Sequence, residues 1–447
     1  MFARIMEMSE HPLRRRVVGE MHLRRWPRLS PPAQVVQVLR LLAPHEREGA
    51  RALLADLPRG GFLAPSEALA SEGLRHAEGD MAPGIAFAWE LHAEACGITL
   101  FRRAPDADMS EALDWMARCP GQVIRATRIR LCASVEEARA LLPEMGFVGS
   151  DLVSCEIGAT GGEQGGRPVA RMWSDFRIGP DGFGASLVAL HDADACDSGD
   201  IARLLQAFQE LGNYRNLALM GLPEAQAHWS ALDAAEERLR DLAGDVAAGA
   251  AQGAGPAMTD DALLARVSAI SLDLMHVAAQ TGYRMNATEA YARLAEERLA
   301  ALAVRPVAGH PSLVDFTQRR LLPAVRTCSA FARRVDQLQA RAARFAALLR
   351  TRVETHIENQ NGRLLRSMER SASLQLRLQQ LVEGLSVVAL SYYAVALLGY
   401  VFKGAEEIWP HLPAPLIIGL MVPLVVAGTW WAIHRMKARL LGHDEAH

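Results

Sequence analysis

Lysine is almost missing from this chain. Of 48 Lys and Arg residues, only Lys403 and Lys437 are lysine, and against 51 acids the formal charge is −3. That balance by itself suggests neither a polyanion nor a nucleic-acid binder, and no nucleic-acid partner is expected. Cysteine is sparse as well. Cys96, Cys119, Cys132, Cys155, Cys196 and Cys328 include no CxxC pair and read as reduced thiols in a reducing compartment. The opening MFARIMEMSEHPLRRR lacks the apolar core of a signal peptide, so the bulk of the chain is expected to stay on the side where it is made. Catalytic signatures are missing too. No GK[ST] follows a glycine-rich loop, no GxGxxG opens a helix, and there is no HExxH or GxSxG set. No enzyme is expected.

Charge vanishes altogether over residues 385–402 and again over 412–433, runs of 18 and 22 residues. A helix of about 20 apolar residues crosses the roughly 30 Å of bilayer hydrocarbon. The short link KGAEEIWPH, residues 403–411, makes the pair a transmembrane hairpin in the lipid bilayer. Arg366, Arg370, Arg377, Arg435, Lys437 and Arg439 flank it, whereas the link carries only Lys403. The positive-inside rule then places both flanks, and both termini, in the cytoplasm of an inner-membrane protein. Glu406 and Glu407 lie in the outer link, where copies of the chain would form a carboxylate ring beside Lys403 that concentrates cations; alone they are a solvated loop. Ser391, Tyr392 and Thr429 are among the hydroxyls inside the runs, and either line a path or bond helix to helix.

Proline is absent between Pro323 and Pro410, and the interval is helical by periodicity. Val335, Leu338, Ala342, Phe345 and Leu349 keep 3–4 spacing, and Val353, Ile357, Leu364 and Met368 resume the stripe after a four-residue step. A helix from about residue 324 to 402 would be on the order of 120 Å long. Such a rod must pack on other helices or on copies of itself. Residues 312–383 hold 13 Arg against six acids, read as a solvated, lipid-attracted face rather than an anion vestibule.

Upstream, alternation in GIAFAWELHA puts Ile85, Phe87, Trp89 and Leu91 on one face of a strand and Glu90 and His92 on the other. QVIRATRIRL, GFVGSDLVSCEI, RPVARMWSDFRI and FGASLVALH read as further strands, with EEARALLPEM a short helix. Glu90, His92 and Glu94 are a candidate divalent-metal set, with His11, Glu20 and His22 as possible additions; the competing reading is an ion-paired strand face. The expected organisation is a helical segment 1–82, an α/β domain 83–197, a helical hairpin 198–310 with a Gly/Ala linker near 243–258, a stalk helix 311–384, span 385–402, outer loop 403–411, span 412–433 and a cytoplasmic tail 434–447. The fold class is thus an α+β membrane protein in which a very long stalk helix continues into the first span.

HPLRRRVVGEMH, WELHAE, LLQAFQELGNYRNLALMGLP, FTQRRLLPAVRTC and ENQNGRLLRSMERSASLQLRLQQLVEGLSVVALSYYAVALLGY together resemble domain-of-unknown-function family 3422, bacterial membrane-anchored proteins without an assigned activity. The order of parts also resembles the CorA-type magnesium channels, without their Gly-Met-Asn motif: GYVFKGA stands at that place. That architectural likeness implies a homo-oligomer, a pentamer by analogy, acting as an ion channel or transporter. The alternative is a membrane-tethered scaffold or sensor with no transport activity.

Overall fold

The computed structural model describes residues 11–14, 17–18, 25–58, 62–63, 75–159, 166–251, 259–408 and 414–441. The linker 252–258, the loop tip 160–165 and the outer-loop residues 409–413 lie outside them, as do Glu20 and His22. The chain divides into two compact units, residues 1–346 and 347–447.

The first unit is built on one ten-stranded sheet. In chain order its strands are β1 (Ala33–Leu41), β2 (Phe62–Leu63), β3 (His76–Ala82), β4 (Ile85–Leu91), β5 (Ala95–Arg102), β6 (Gln122–Cys132), β7 (Val153–Ile157), β8 (Ala170–Ser174), β9 (Gly184–Leu190) and β10 (Arg305–Pro306). Their order across the sheet is β10-β7-β8-β9-β6-β1-β5-β4-β3-β2. The β6–β9 pair is parallel and the other neighbours are antiparallel. The described helices are α1 (Arg47–Ala52), α2 (Ser110–Ala117), α3 (Val135–Leu141), α4 (Ser198–Leu219), α5 (Gly221–Ala251), α6 (Asp260–Ala301), α7 (Leu313–Ile408) and α8 (Ala414–Leu441).

Strand β4 shows how the layers are arranged. Ile85, Phe87, Trp89 and Leu91 enter a core completed by Trp115 and Met116 of α2 and Ala50 of α1. Ala86 and Ala88, on the opposite face, enter a second core with Ile201, Leu205 and Phe208 of α4 and Ala292 and Ala295 of α6. Both faces of the sheet are therefore covered. The small alanines on the second face leave room for α4 and α6 to lie close. On the first face, farther along the sheet, α3 contributes Ala138 to a smaller cluster with Trp173, Leu187 and Ala189.

The expected helical segment 1–82 is corrected here. β1 and β3 occupy much of it, and β1 is central to the sheet. Its run AQVVQVLRL is buried on both faces, so it lacks the alternation that marks a half-buried strand. The helical block after residue 198 breaks at Met220, between α4 and α5, and α5 continues to Ala251 through the first part of the expected linker.

Helix α7 is a single helix of 96 residues. It starts at Leu313, close to the expected stalk boundary at 311 and ahead of residue 324, from which its expected length runs. Ser312 and Asp315 close a capping box, with Ser312 N–H donating to Asp315 at 2.9 Å and Asp315 N–H donating to Ser312 Oγ at 3.1 Å. Pro323 sits inside the helix rather than before it. One missing N–H is tolerated where Leu321, Cys328, Phe331, Val335 and Leu338 bury one flank of the helix. In the second unit, the rest of α7 accompanies α8. Three described helices are long and apolar enough to cross a membrane: α6, α7 over Leu313–Gly404, and α8 over Pro415–Met436.

Candidate functional site

Two polar seams cross the interface between the sheet and the helices of the first unit. The first is built on the end of β4. Glu94, in the turn before β5, receives both Nη atoms of Arg284 from α6, at 3.1 and 2.7 Å, and the hydroxyl of Tyr283 at 3.4 Å. The Glu94 and Arg284 side chains are only 11% and 18% exposed. This two-pronged geometry is the strong form of the ion pair. Glu90 stands between His76 at 3.7 Å and His92 at 3.6 Å. Glu210 of α4 pairs with Arg298 of α6 at 2.6 Å. Burial raises the Glu210 carboxyl above its ordinary range, with Arg298 opposing that shift. Tyr214 and Tyr291 stack beside them with ring centroids 6.2 Å apart. Burial and then the Glu210 carboxylate push the Tyr214 phenol up to about 12.

The expected metal set does not come together. Glu94 turns to Arg284 while Glu90 turns to its histidines, and among the described residues no group of three or more His, Cys, Asp or Glu side chains is placed to hold a metal ion. Each carboxylate of WELHAE has a nearer cationic or imidazole neighbour, which is the ion-paired strand face that competed with the metal reading. His11 is exposed near the start of the chain and donates nothing to this seam; its Nδ1 accepts from Leu13 N–H at 3.2 Å.

The second seam was not marked by any motif. It lies where β1, β5 and β6 face α4. Gln37 Nε2 donates to Thr99 Oγ1 at 2.9 Å, and Gln37 Oε1 accepts from Arg125 Nη1 at 3.1 Å. The same Nη1 donates to Asn213 Oδ1 at 2.9 Å. Thr127 and Gln209 exchange a further pair of bonds at 2.9 and 3.0 Å. The segment ELGNYRN of α4 explains the fit. A Cβ on Gly212 would stand 2.4 Å from Arg125 Nη2, so only glycine lets the guanidinium lie against the helix. Asn213 then caps that guanidinium, and Arg215, one residue beyond Tyr214, enters the same region.

Among the described residues, Arg125 and Arg215 have no carboxylate partner. Burial lowers Arg125 to about 9, with the charge of Arg215 adding to the shift. Burial alone lowers Arg215 to about 10. Arg215 is 7% exposed. Its guanidinium carbon lies over the rings of Phe176 at 4.5 Å and Phe316 at 4.9 Å, and these rings stack on each other at 4.6 Å. Both arginines line a cavity of about 230 Å³ with Thr127, Ser174, Phe176 and Ser186. Phe176 holds φ at 53°, a left-handed conformation that L side chains with a bulky ring rarely adopt.

In the second unit, Ser391 Oγ and Thr429 Oγ1 lie 2.5 Å apart and join α7 to α8. Thr429 also donates to the carbonyl of Val425 at 2.7 Å. Ser391 is 4% exposed, whereas Tyr392 is 72% exposed and faces outward against Tyr393. Lys403 is exposed. Glu406 and Glu407 fall in the last turn of α7, with side chains outside the described set.

A family model described as "Protein of unknown function (DUF3422)" matches residues 9–440, and the chain belongs to this family. None of the curated proteins and none of the solved structures matches it. The likeness to CorA-type channels, expected from the order of parts, therefore has no support.

Proposed function

We propose that the chain is a two-span inner-membrane protein in which the hairpin is an anchor and the α+β unit is the working part of a tethered sensor or scaffold, with no enzymatic activity. The end of α7 and the body of α8 are the spans, and both termini are cytoplasmic, as the arginines outside the runs indicate. The observation that carries the reading is the Ser391–Thr429 contact. A hydroxyl that lines a water path turns toward water, whereas these two hydroxyls satisfy each other between the helices, as polar residues that hold membrane helices together do. The test is ion flux in liposomes that hold the full chain. The proposal expects flux no greater than in empty liposomes. Flux that disappears when Glu406→Ala and Glu407→Ala are combined would overturn it.

A second reading, an oligomeric channel or transporter, is favoured by one feature. Leu364, Leu365, Met368, Leu374, Leu378 and Leu381 of α7 are each more than half exposed in a single chain. Copies of the chain packed along this helix would cover them, and a two-span protein makes a pore only through such assembly. Its test is mass in mild detergent: a monomer removes it. An assembly of five would sustain it, whereas a dimer would fit a tethered scaffold.

A further inference from the structure

We propose that the cavity bounded by β6, β8, β9 and α4 is a binding site for a small oxyanion, a phosphoryl or carboxylate compound of few carbons, with Arg215 as its principal contact and Arg125 as the second positive charge. The proposal holds whether the hairpin anchors or conducts.

A guanidinium loses hydration when buried and normally recovers it from a carboxylate or from several acceptors. Arg284 and Arg298 do so in this same unit. Arg125 recovers part through Gln37 and Asn213. Arg215 recovers none by hydrogen bonding among the described residues: its partners are two ring faces. Rings cushion the plane of a guanidinium and leave its edge, with all five N–H donors, for something else. The two cations also repel one another, which a dianion between them would reverse.

The cavity fits that occupant in sign and size. The other charged side chain on its wall, Arg177, is committed to Asp151 at 2.5 Å, and the nearby Asp181 is committed to Arg128 at 3.0 Å. Among the described residues, no acid lines the cavity. Ser186 adds polar wall, whereas the hydroxyls of Thr127 and Ser174 are already bonded to Gln209 and to the carbonyl of Ala185. A volume of about 230 Å³ has room for a tetrahedral oxyanion with a short carbon chain. Phe176 supplies an independent pointer. Its left-handed backbone is retained where it holds a ring under Arg215, and strained residues of this kind gather at binding sites.

The test uses the full chain in detergent, at constant ionic strength, titrated calorimetrically with inorganic phosphate, sulfate and succinate while the unfolding midpoint is followed. The site predicts a saturable response to at least one of the three. A phosphate response marks a phosphoryl ligand, and a succinate response a dicarboxylate. Arg215→Met should weaken that binding at least roughly tenfold. It should leave the ligand-free midpoint unchanged or raised, because an unpaired buried charge is replaced by a side chain that packs on Phe176 and Phe316. A second readout needs no variant: phenylglyoxal labelling of Arg215 in the unaltered protein, mapped by mass spectrometry, should fall when the bound oxyanion is present. No saturable response to any of the three below roughly 10 mM overturns the site. So does equal binding in Arg215→Met, or labelling of Arg215 that the oxyanion does not change.

Discussion

The two polar seams of the first unit treat arginine in opposite ways. At the end of β4, Arg284 and Arg298 each meet a carboxylate, and the result is a clamp between α6 and its neighbours. Under α4, Arg125 and Arg215 meet amides and aromatic faces but, among the described residues, no carboxylate. Charge that is neutralised inside the chain ties elements together. Charge that is buried and left over weakens the fold on its own account, and it persists where something outside the chain completes it. The contrast lies within one unit and one pair of helices, so general features such as composition do not explain it.

Breaking the clamp should have the largest effect. Glu94→Ala strands Arg284 in a pocket where both partners are mostly buried, and should lower stability by about 3 kcal/mol in denaturant unfolding. Pairing it with Arg284→Met should recover most of that loss, because the uncompensated charge goes too. The corresponding single change at the other seam, Arg215→Met, needs no such rescue, and that difference is the comparison in its sharpest form.

A smaller effect is expected at Gly212. Gly212→Ala places a methyl 2.4 Å from Arg125 Nη2 and forces the guanidinium off the helix. Overpacking of this kind costs about 1–3 kcal/mol, less the roughly 1 kcal/mol that alanine returns in helix propensity. Its diagnostic readout is weaker oxyanion binding together with the stability loss. Weaker stability with unchanged binding would mean that Arg125 takes no part in the site.

The smallest effect is a slope. Glu210 has its pKa raised by burial in the folded chain, so between its ordinary value and the raised one the folded state holds more protons than the unfolded state. Stability should therefore fall as pH rises across that interval, and Glu210→Gln should flatten the curve there. A curve that Glu210→Gln leaves unaltered would place the proton elsewhere.

Much of this architecture can be read in the chain itself, and the gaps have physical causes. The alternation of GIAFAWELHA marks β4, and RPVARMWSDFRI and FGASLVALH contain β8 and β9, because each strand is bounded by polar or glycine-rich turns. β1 escapes because both of its faces are buried, and ACGITLFR of β5 escapes for the same reason. The uninterrupted α7 is legible from periodicity and the lack of proline, and Pro323, near its start, is taken into the helix instead of bounding it. The site is less legible than the fold. Arg284 lies 190 residues from Glu94, so WELHAE looks like open ligands until α6 arrives. Arg125 and Arg215 look like any surface arginines. Their significance is the absence of an acid beside them, which periodicity does not report. Gly212 is the one local hint, a glycine inside a long helical block that helix propensity disfavours.

The claim that the hairpin anchors without conducting is tested most directly at Ser391. Ser391→Cys in the full chain, reconstituted in liposomes, is exposed to a membrane-impermeant thiol reagent on either side and scored by peptide-resolved mass spectrometry. The packed contact with Thr429 predicts that position 391 stays unreacted from both sides under conditions that label a cysteine placed at Lys403. Rapid labelling of position 391 would mean that water reaches it, and would contradict the account.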